Sequence, residues 1–303
     1  GDSLTTGGYN VAIGRATLAT EDAHGKNVAI GYEALYTQNA GADAYNVAIG
    51  FKAGTVVSTG VENTIIGGLA GDALTDGEDN VVVGYDALSA ETSGDGNVVM
   101  GHGALSAQNG ANYNIAIGHN AGKANTTGAT HVFVGRETGL LTSAADNLTF
   151  IGNQAGNAAI YTGRNLVALG HDAQPSAAGA NDEVTLGSSG VATLRCAVNT
   201  ITLISDERDK TDIQDIDYGL DLIENLRPRK FTWDSRDGAK QGQKEIGFIA
   251  QELQEVDDEY LNFVLDNNPD KLEAGWMQLV PVLVKAVQEL SAEVKELKQQ
   301  LNN

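Results

Sequence analysis

Asn27-Val28-Ala29-Ile30-Gly31-Tyr32-Glu33-Ala34 is one copy of a unit that recurs throughout residues 1–187. The glycine that closes its apolar triplet returns every 17 to 19 residues, at positions 14, 31, 50, 67, 84, 101, 118, 135, 152, 170 and 187. β-Branched residues followed by a turn glycine are typical of short strands, and this period leaves room for only one or two strands per coil. The sequence therefore predicts a mainly β fold, with residues 1–187 forming a parallel β-solenoid shaft.

The apolar triplets also predict how the coils pack. Strand side chains alternate between two faces, so the first and third positions, such as Val28 and Ile30, share one face, which we assign to the interior. The middle position, such as Ala29 or Phe133, would then face outward. A stripe of ten apolar side chains is too large to leave in water, which predicts burial against other copies of the chain. The alternative is a monomer whose own loops cover the stripe.

An asparagine stands four residues before each of the first seven glycines, at positions 10, 27, 46, 63, 80, 97 and 114. Stacked identical amides predict a hydrogen-bonded ladder along the shaft. The recurring Asn-Val-Ala-Ile-Gly with a following alanine resembles the head repeats of trimeric autotransporter adhesins. That resemblance implies parallel β-rolls wound around a threefold axis, with a longer period here.

Residues 188–204 follow the last repeat and are rich in β-branched residues, which predicts a neck of one or two strands that leads in extended form to Ile204. Cys196 lies in this pattern and is interpreted as a small buried apolar residue. As the single cysteine, it excludes an internal disulfide.

Residues 205–303 predict a small α+β module. The pattern indicates a helix that follows Asp217 and ends before Arg227, a short helix at 250–253, and strands at 230–233, 245–249 and 260–265.

The end of the chain carries a heptad pattern. Apolar residues spaced alternately by four and three predict a coiled coil over residues 280–302: Leu283, Val287, Leu290, Val294, Leu297 and Leu301. Valine alternating with leucine by itself favours a dimer, whereas the adhesin-like repeats favour a trimer, and we expect a homotrimer. The alternative is a surface helix packed on its own module.

Ser205 and Lys210 stand five residues apart where the neck meets this module. A serine hydroxyl needs a nearby base, and all five histidines precede residue 205, so a base within the module cannot be an imidazole. This leaves a Ser-Lys pair. Acidic neighbours, Asp206 among them, would keep the lysine protonated in an isolated chain; trimerisation would desolvate it and pair carboxylates with Arg208. Alternatively, Ser205 and Asp206 only cap a turn.

Several motifs in order carry a second resemblance. They are Ser205-Asp206-x-Arg208-x-Lys210, Leu226-Arg227-Pro228 with Phe231 and Trp233, residues 247–252 (Gly-Phe-Ile-Ala-Gln-Glu), residues 279–281 (Leu-Val-Pro) and the heptads. Together they resemble the C-terminal intramolecular chaperone of phage tailspikes and tail fibres, the endosialidase type. The resemblance covers 205–303, and Trp276 stands where that family more often has tyrosine.

The resemblance implies a trimeric chaperone that folds the fibre before it and then cleaves itself off. Carried onto this chain, Ser205 would be the nucleophile, Lys210 its base, and Ile204–Ser205 the scissile bond. We therefore expect a phage tail-fibre fragment made in the bacterial cytoplasm and located in the virion, whose partner is a host glycan or surface protein. The alternatives are a bacterial trimeric adhesin, a non-cleaving trimerisation cap and a polysaccharide-degrading tailspike.

Charge and composition exclude other classes of partner. The net charge is −21, so nucleic acid and anionic membranes are unlikely partners, and no apolar run is long enough to insert into a membrane. No residue pattern predicts a cofactor or a metal site.

Overall fold

The computed structural model describes residues 1, 3–191, 193–195, 205–236, 238–266, 268, 270–275 and 277–302. They fall in two compact units, residues 1–189 and residues 190–303. Most of the predicted neck, including Cys196 and Ile204, lies outside the described residues, as does Trp276.

The first unit is a parallel β-solenoid with one short strand per coil. Each strand hydrogen-bonds to the strand one repeat later, so that the sheet order follows the sequence from β1 to β11. The strands are β1 Val11–Ile13, β2 Val28–Ile30, β3 Val47–Ile49, β4 Thr64–Ile66, β5 Val81–Val83, β6 Val98–Met100, β7 Ile115–Ile117, β8 Val132–Val134, β9 Leu148–Ile151, β10 Leu166–Leu169 and β11 Val184–Leu186. The predicted solenoid and its period are confirmed.

The predicted inward and outward faces of the strands are wrong. From β2 to β8 the middle residue of the strand is the buried one: Ala29, Val82 and Phe133 are all 0% exposed. In the four-residue strands β9 and β10 the first and third residues are buried, and in the terminal strands β1 and β11 none is. The residues on either side of the buried positions instead face outward. The most exposed apolar ones are Val11, Ile13, Ile66, Val81, Met100, Ile115, Ile117, Ile151, Leu169, Val184 and Leu186. The outward apolar surface therefore exists, but it is formed by two residues per strand.

The recurring asparagines, which stack along the shaft as an asparagine column, explain which side of each strand faces inward. Each asparagine directly precedes its strand and points into the coil, so alternation places the middle strand residue on the same inner side. The Asn46 side-chain oxygen accepts the backbone N–H of Asn63 at 2.8 Å, and the Asn63 side-chain amide donates to the Gly77 carbonyl at 2.8 Å. The predicted ladder is present, and its main links join side-chain amides to the backbone of neighbouring coils.

Within each coil, the size of the side chain on the strand and the size of the side chain on the turn compensate for each other. Where the strand contributes Ala29, the following turn contributes the buried Leu35. Where the strand contributes Phe150, the turn has Gly156 at φ +62°, and a Cβ there would lie 2.1 Å from the Phe150 ring. The interior is narrow, so a large residue on the strand requires a small one on the turn.

His131 occupies the next position in the asparagine column. Its side chain is fully buried, its Nδ1 accepts the backbone N–H of Leu148 at 3.2 Å, and its ring stacks on Phe133 with 4.8 Å between centroids. Burial lowers the pKa of His131 to about 4, against the opposing effect of the Asp146 carboxylate. The imidazole is therefore neutral in the folded shaft.

We expect His131→Asn to remove part of the acid sensitivity of the shaft. An unfolded chain protonates this histidine near pH 6.5 and the folded chain only near pH 4, so acidification between these values favours unfolding. The loss is about 1.4 kcal/mol per pH unit, or about 3 kcal/mol in total. Denaturant unfolding at several pH values should show the variant gaining stability relative to wild type by about this amount. His171→Asn, at an exposed histidine, is the control; parallel pH profiles for His131→Asn and wild type would contradict the prediction.

The second unit is small and α+β, as predicted. Its elements are a 3₁₀ turn at Glu207–Asp209, α1 Leu220–Asn225, β12 Arg229–Asp234, β13 Gln241–Gly247, α2 Ala250–Gln254, β14 Val264–Leu265, β15 Glu273–Ala274 and α3 Leu279–Leu301. β12 pairs antiparallel with β13, and β14 with β15. The strand predicted at 260–265 is limited to β14.

Helix α3 packs on its own unit through one face only. Val282 and Ala286 are buried, and the Glu289 carboxylate accepts the N–H of Leu220 at 2.7 Å, which caps the start of α1. The start of α1 is thus capped by a residue of α3 and not by the preceding Asp217. The heptad positions lie on another face and are exposed: Leu283, Val287, Leu290, Val294, Leu297 and Leu301.

Candidate active site

Ser205 and Lys210 are brought together by a single turn. The Asp206 carboxylate accepts the backbone N–H of Arg208 at 2.9 Å and caps the 3₁₀ turn that follows, and Lys210 N–H donates to the Glu207 carbonyl at 3.1 Å. This turn reverses the chain, so that Lys210 Nζ donates to Ser205 Oγ at 2.6 Å and to the Ser205 carbonyl at 3.3 Å. The Ser205 hydroxyl and the Lys210 amine are therefore within the distance that proton transfer would require.

Arg208 holds the carboxylate nearest in sequence to the serine. Its Nε lies 2.9 Å from one Asp206 oxygen and its terminal nitrogen lies 2.5 Å from the other. The guanidinium lowers the pKa of Asp206, first by its side-chain hydrogen bonds. Asp206 is thus directed to Arg208 and to the turn backbone. It caps a turn, and its pair with Arg208 is already formed in one chain rather than only on trimerisation.

The Ser205 and Lys210 side chains are exposed in the single chain. A lysine acts as a general base only when neutral, and water favours its charged form. The geometry of a Ser-Lys pair is therefore present in one chain, whereas the desolvation that would activate it is not. Ile204, the predicted residue before the scissile bond, lies outside the described residues.

The rest of the second unit has a small core of its own. Leu253, Leu261, Phe263 and Val282 are buried together. Arg229 pairs with the Glu252 carboxylate through two of its nitrogens and joins β12 to α2. Within the part of the chain that the structure describes, no helix is long and apolar enough to cross a membrane.

Comparison with known proteins identifies part of this unit. Residues 205–262 match the family model described as chaperone of endosialidase, the peptidase S74 family. No curated protein and no solved structure matches the chain. The match begins at Ser205 and includes the 3₁₀ turn, α1, β12, β13 and α2. The chain is thus a β-solenoid shaft followed by a segment, residues 205–262, similar to the chaperone of endosialidase.

Proposed function

We propose that this chain is the C-terminal part of a phage tail fibre whose last module assembles three copies of the shaft and then cuts itself off between Ile204 and Ser205. The observation that carries the proposal is the 2.6 Å hydrogen bond between Lys210 Nζ and Ser205 Oγ at the first residue of the endosialidase-chaperone match. In the reaction, Lys210 takes the hydroxyl proton and Ser205 Oγ attacks the Ile204 carbonyl carbon. The Ile204–Ser205 C–N bond then breaks as the Ser205 α-amine leaves with that proton, and water hydrolyses the resulting ester to release the Ile204 carboxylate.

The shaft offers an apolar surface suited to assembly. Two outward residues per strand, apolar except for Thr64 and Thr149, recur over eleven strands and form an apolar band that is exposed or half-buried in one chain. Bands of this extent on a soluble protein usually mark an interface. The occupant that matches the band in length and period is another copy of the same shaft, so we expect the strands of three chains to face one another.

Helix α3 offers a second surface for the same assembly. Leu283, Leu290 and Leu297 alternate with Val287 and Val294 on one exposed face, while Val282 and Ala286 are buried on the neighbouring face. A helix that already packs on its unit through one face can join a coiled coil through the other. Three copies of this module can therefore form a coiled coil while α3 keeps its packing on its own unit.

The structure of the shaft gives a physical reason why its assembly would need a chaperone. Each of the eleven strands pairs only with strands of neighbouring coils in the same chain. Aligning the coils of three chains with one another requires contacts between segments that have no covalent link. A module that associates first raises the effective concentration of the three shafts. Cleavage afterwards would separate the fibre from the module that formed it and leave the fibre kinetically trapped.

The test is expression of the full chain beside Ser205→Ala, analysed on denaturing gels and by mass spectrometry. Wild type should split into residues 1–204 and 205–303, and Ser205→Ala should stay whole. Ser291→Ala removes an exposed hydroxyl from α3 and should cleave like wild type. An intact wild-type chain that forms a folded trimer would make the module a permanent trimerisation cap and would refute the proposed cleavage.

A bacterial trimeric adhesin with the same module is the second candidate, favoured by the adhesin-like repeats. The two candidates differ in the genes beside the full-length gene and in what the full gene encodes. Neighbouring virion genes would support the tail fibre, whereas an encoded outer-membrane anchor would support the adhesin.

A further inference from the structure

The interior of the shaft contains the same polar pair twice. Glu21 and Gln38 stand 17 residues apart in one column, and Glu91 and Gln108 stand 17 residues apart in the same column four coils later. All four side chains are 0% exposed. The two Glu–Gln pairs can therefore be compared directly, because they have the same residue types at the same position in the coil and differ only in the groups around them.

The Glu91 carboxylate is fully satisfied by the protein. One oxygen accepts backbone N–H groups of residues 92, 93, 94 and 110 at 2.6 to 3.1 Å. The other accepts the Gln108 side-chain amide at 3.0 Å and the N–H of Ala111 at 3.4 Å. Several amide dipoles thus compensate the buried negative charge.

The Glu21 carboxylate has much less support. Its Oε1 accepts one backbone N–H, that of His24 at 3.1 Å. Its buried Oε2 has no hydrogen-bond partner among the residues that the structure describes, and neither has the side-chain nitrogen of Gln38. A buried carboxylate in this state needs a further positive partner.

Two more possible metal-ligand atoms, one from Asp22 and one from His24, lie near the Glu21 carboxylate. His24 Nδ1 lies 3.8 Å from Glu21 Oε1 and is itself buried with no hydrogen-bond partner in the described part of the chain. Glu21, Asp22 and His24 each offer one ligand atom, and these atoms lie within 4.8 Å of one another. Because Asp22 is exposed and His24 partly exposed, an ion can reach the group from solvent and keep water at its remaining positions.

We propose that Glu21, Asp22 and His24 bind one divalent transition-metal ion, for which Zn²⁺ is the best chemical match. One imidazole with two carboxylates is a donor set that zinc accepts, at about 2.0 to 2.2 Å from each donor atom. Magnesium and calcium prefer oxygen donors alone. The ion would supply to Glu21 the positive partner that backbone amides supply to Glu91, and it would fix the turn at residues 21–24 to the coil interior.

The test uses the untagged full chain, treated with EDTA and dialysed, and titrated with Zn²⁺ by isothermal calorimetry. We expect one Zn²⁺ per chain and at least a tenfold weaker affinity in His24→Ala. The control is the double variant His102→Ala/His119→Ala, which removes an exposed stacked histidine pair and should leave the titration unchanged. Loss of binding in the control but not in His24→Ala would assign the zinc to surface histidines and overturn the proposal.

Thermal unfolding provides a second readout. Zn²⁺ should raise the unfolding temperature of the wild type, since a ligand of the folded state stabilises it, and should not raise that of Glu21→Gln. Glu21→Gln should also be more stable than the metal-free wild type, because it removes a poorly supported buried charge. If the wild type does not bind Zn²⁺ and its unfolding temperature does not change with Zn²⁺, the metal site is refuted.

Discussion

Lys210→Arg will fold and assemble but remain uncleaved. Arginine keeps the positive charge and can still donate a hydrogen bond to Ser205 Oγ, as Lys210 does at 2.6 Å. It cannot act as a base, because the guanidinium does not lose its proton in proteins. Removal of a general base slows proton transfer by about 10²- to 10⁴-fold, so the cleaved fraction should fall below detection over the time in which the wild type is fully cut.

The arginine variant separates catalysis from structure. If Lys210 only holds the turn through its contact with Ser205, the substituted arginine would preserve that role and cleavage would continue. Lys244→Arg, at an exposed lysine of β13, is the matched control and should cleave like wild type. The fraction cleaved is measured on denaturing gels at set times after synthesis, with the oligomeric state determined by light scattering on the same samples. Cleavage at the wild-type rate in Lys210→Arg would remove lysine from the mechanism.

The sequence predicted the solenoid because its signals are local and repeated. An asparagine, an apolar triplet and a glycine at a period of 17 to 19 residues fix the strand, the turn and the coil length together. The strand faces could not be read from the triplets themselves, since residues such as Val81, Val82 and Val83 are apolar on both sides. The asparagine column carried the missing information, because a repeated amide that bonds the next coil must point inward.

The Ser-Lys contact was also predictable, and for a simple reason. Five residues of chain with a capping aspartate between them form one turn, which needs no distant partner. Non-local features were not predictable in this way. Glu289 caps α1 from 69 residues away, and the unsupported state of Glu21 depends on the coil interior, where the backbone amides that surround Glu91 are not repeated. From the sequence, Glu21, Asp22 and His24 resemble an ordinary polar loop.

Leu290→Asp will leave the chain both unassembled and uncleaved. Leu290 lies in the middle of the exposed heptad face of α3, and assembly would bring three copies of it together. Three aspartates at one level of a coiled coil combine burial of charge with mutual repulsion, which costs several kcal/mol per assembly. Without association, Ser205 and Lys210 stay exposed to water, without the desolvation that a general-base lysine requires.

Gln288→Asp provides the matched control, because it introduces the same side chain at an exposed position of α3 outside the heptad face. It should assemble and cleave like wild type. Light scattering gives the oligomeric state of each protein, and a time course on denaturing gels gives its cleavage rate. The two losses should occur together in Leu290→Asp, since in our proposal assembly supplies the desolvation that a single chain lacks. A monomeric Leu290→Asp chain that cuts itself at the wild-type rate would show that the Ser-Lys pair is active in one chain, and cleavage would then no longer report correct assembly.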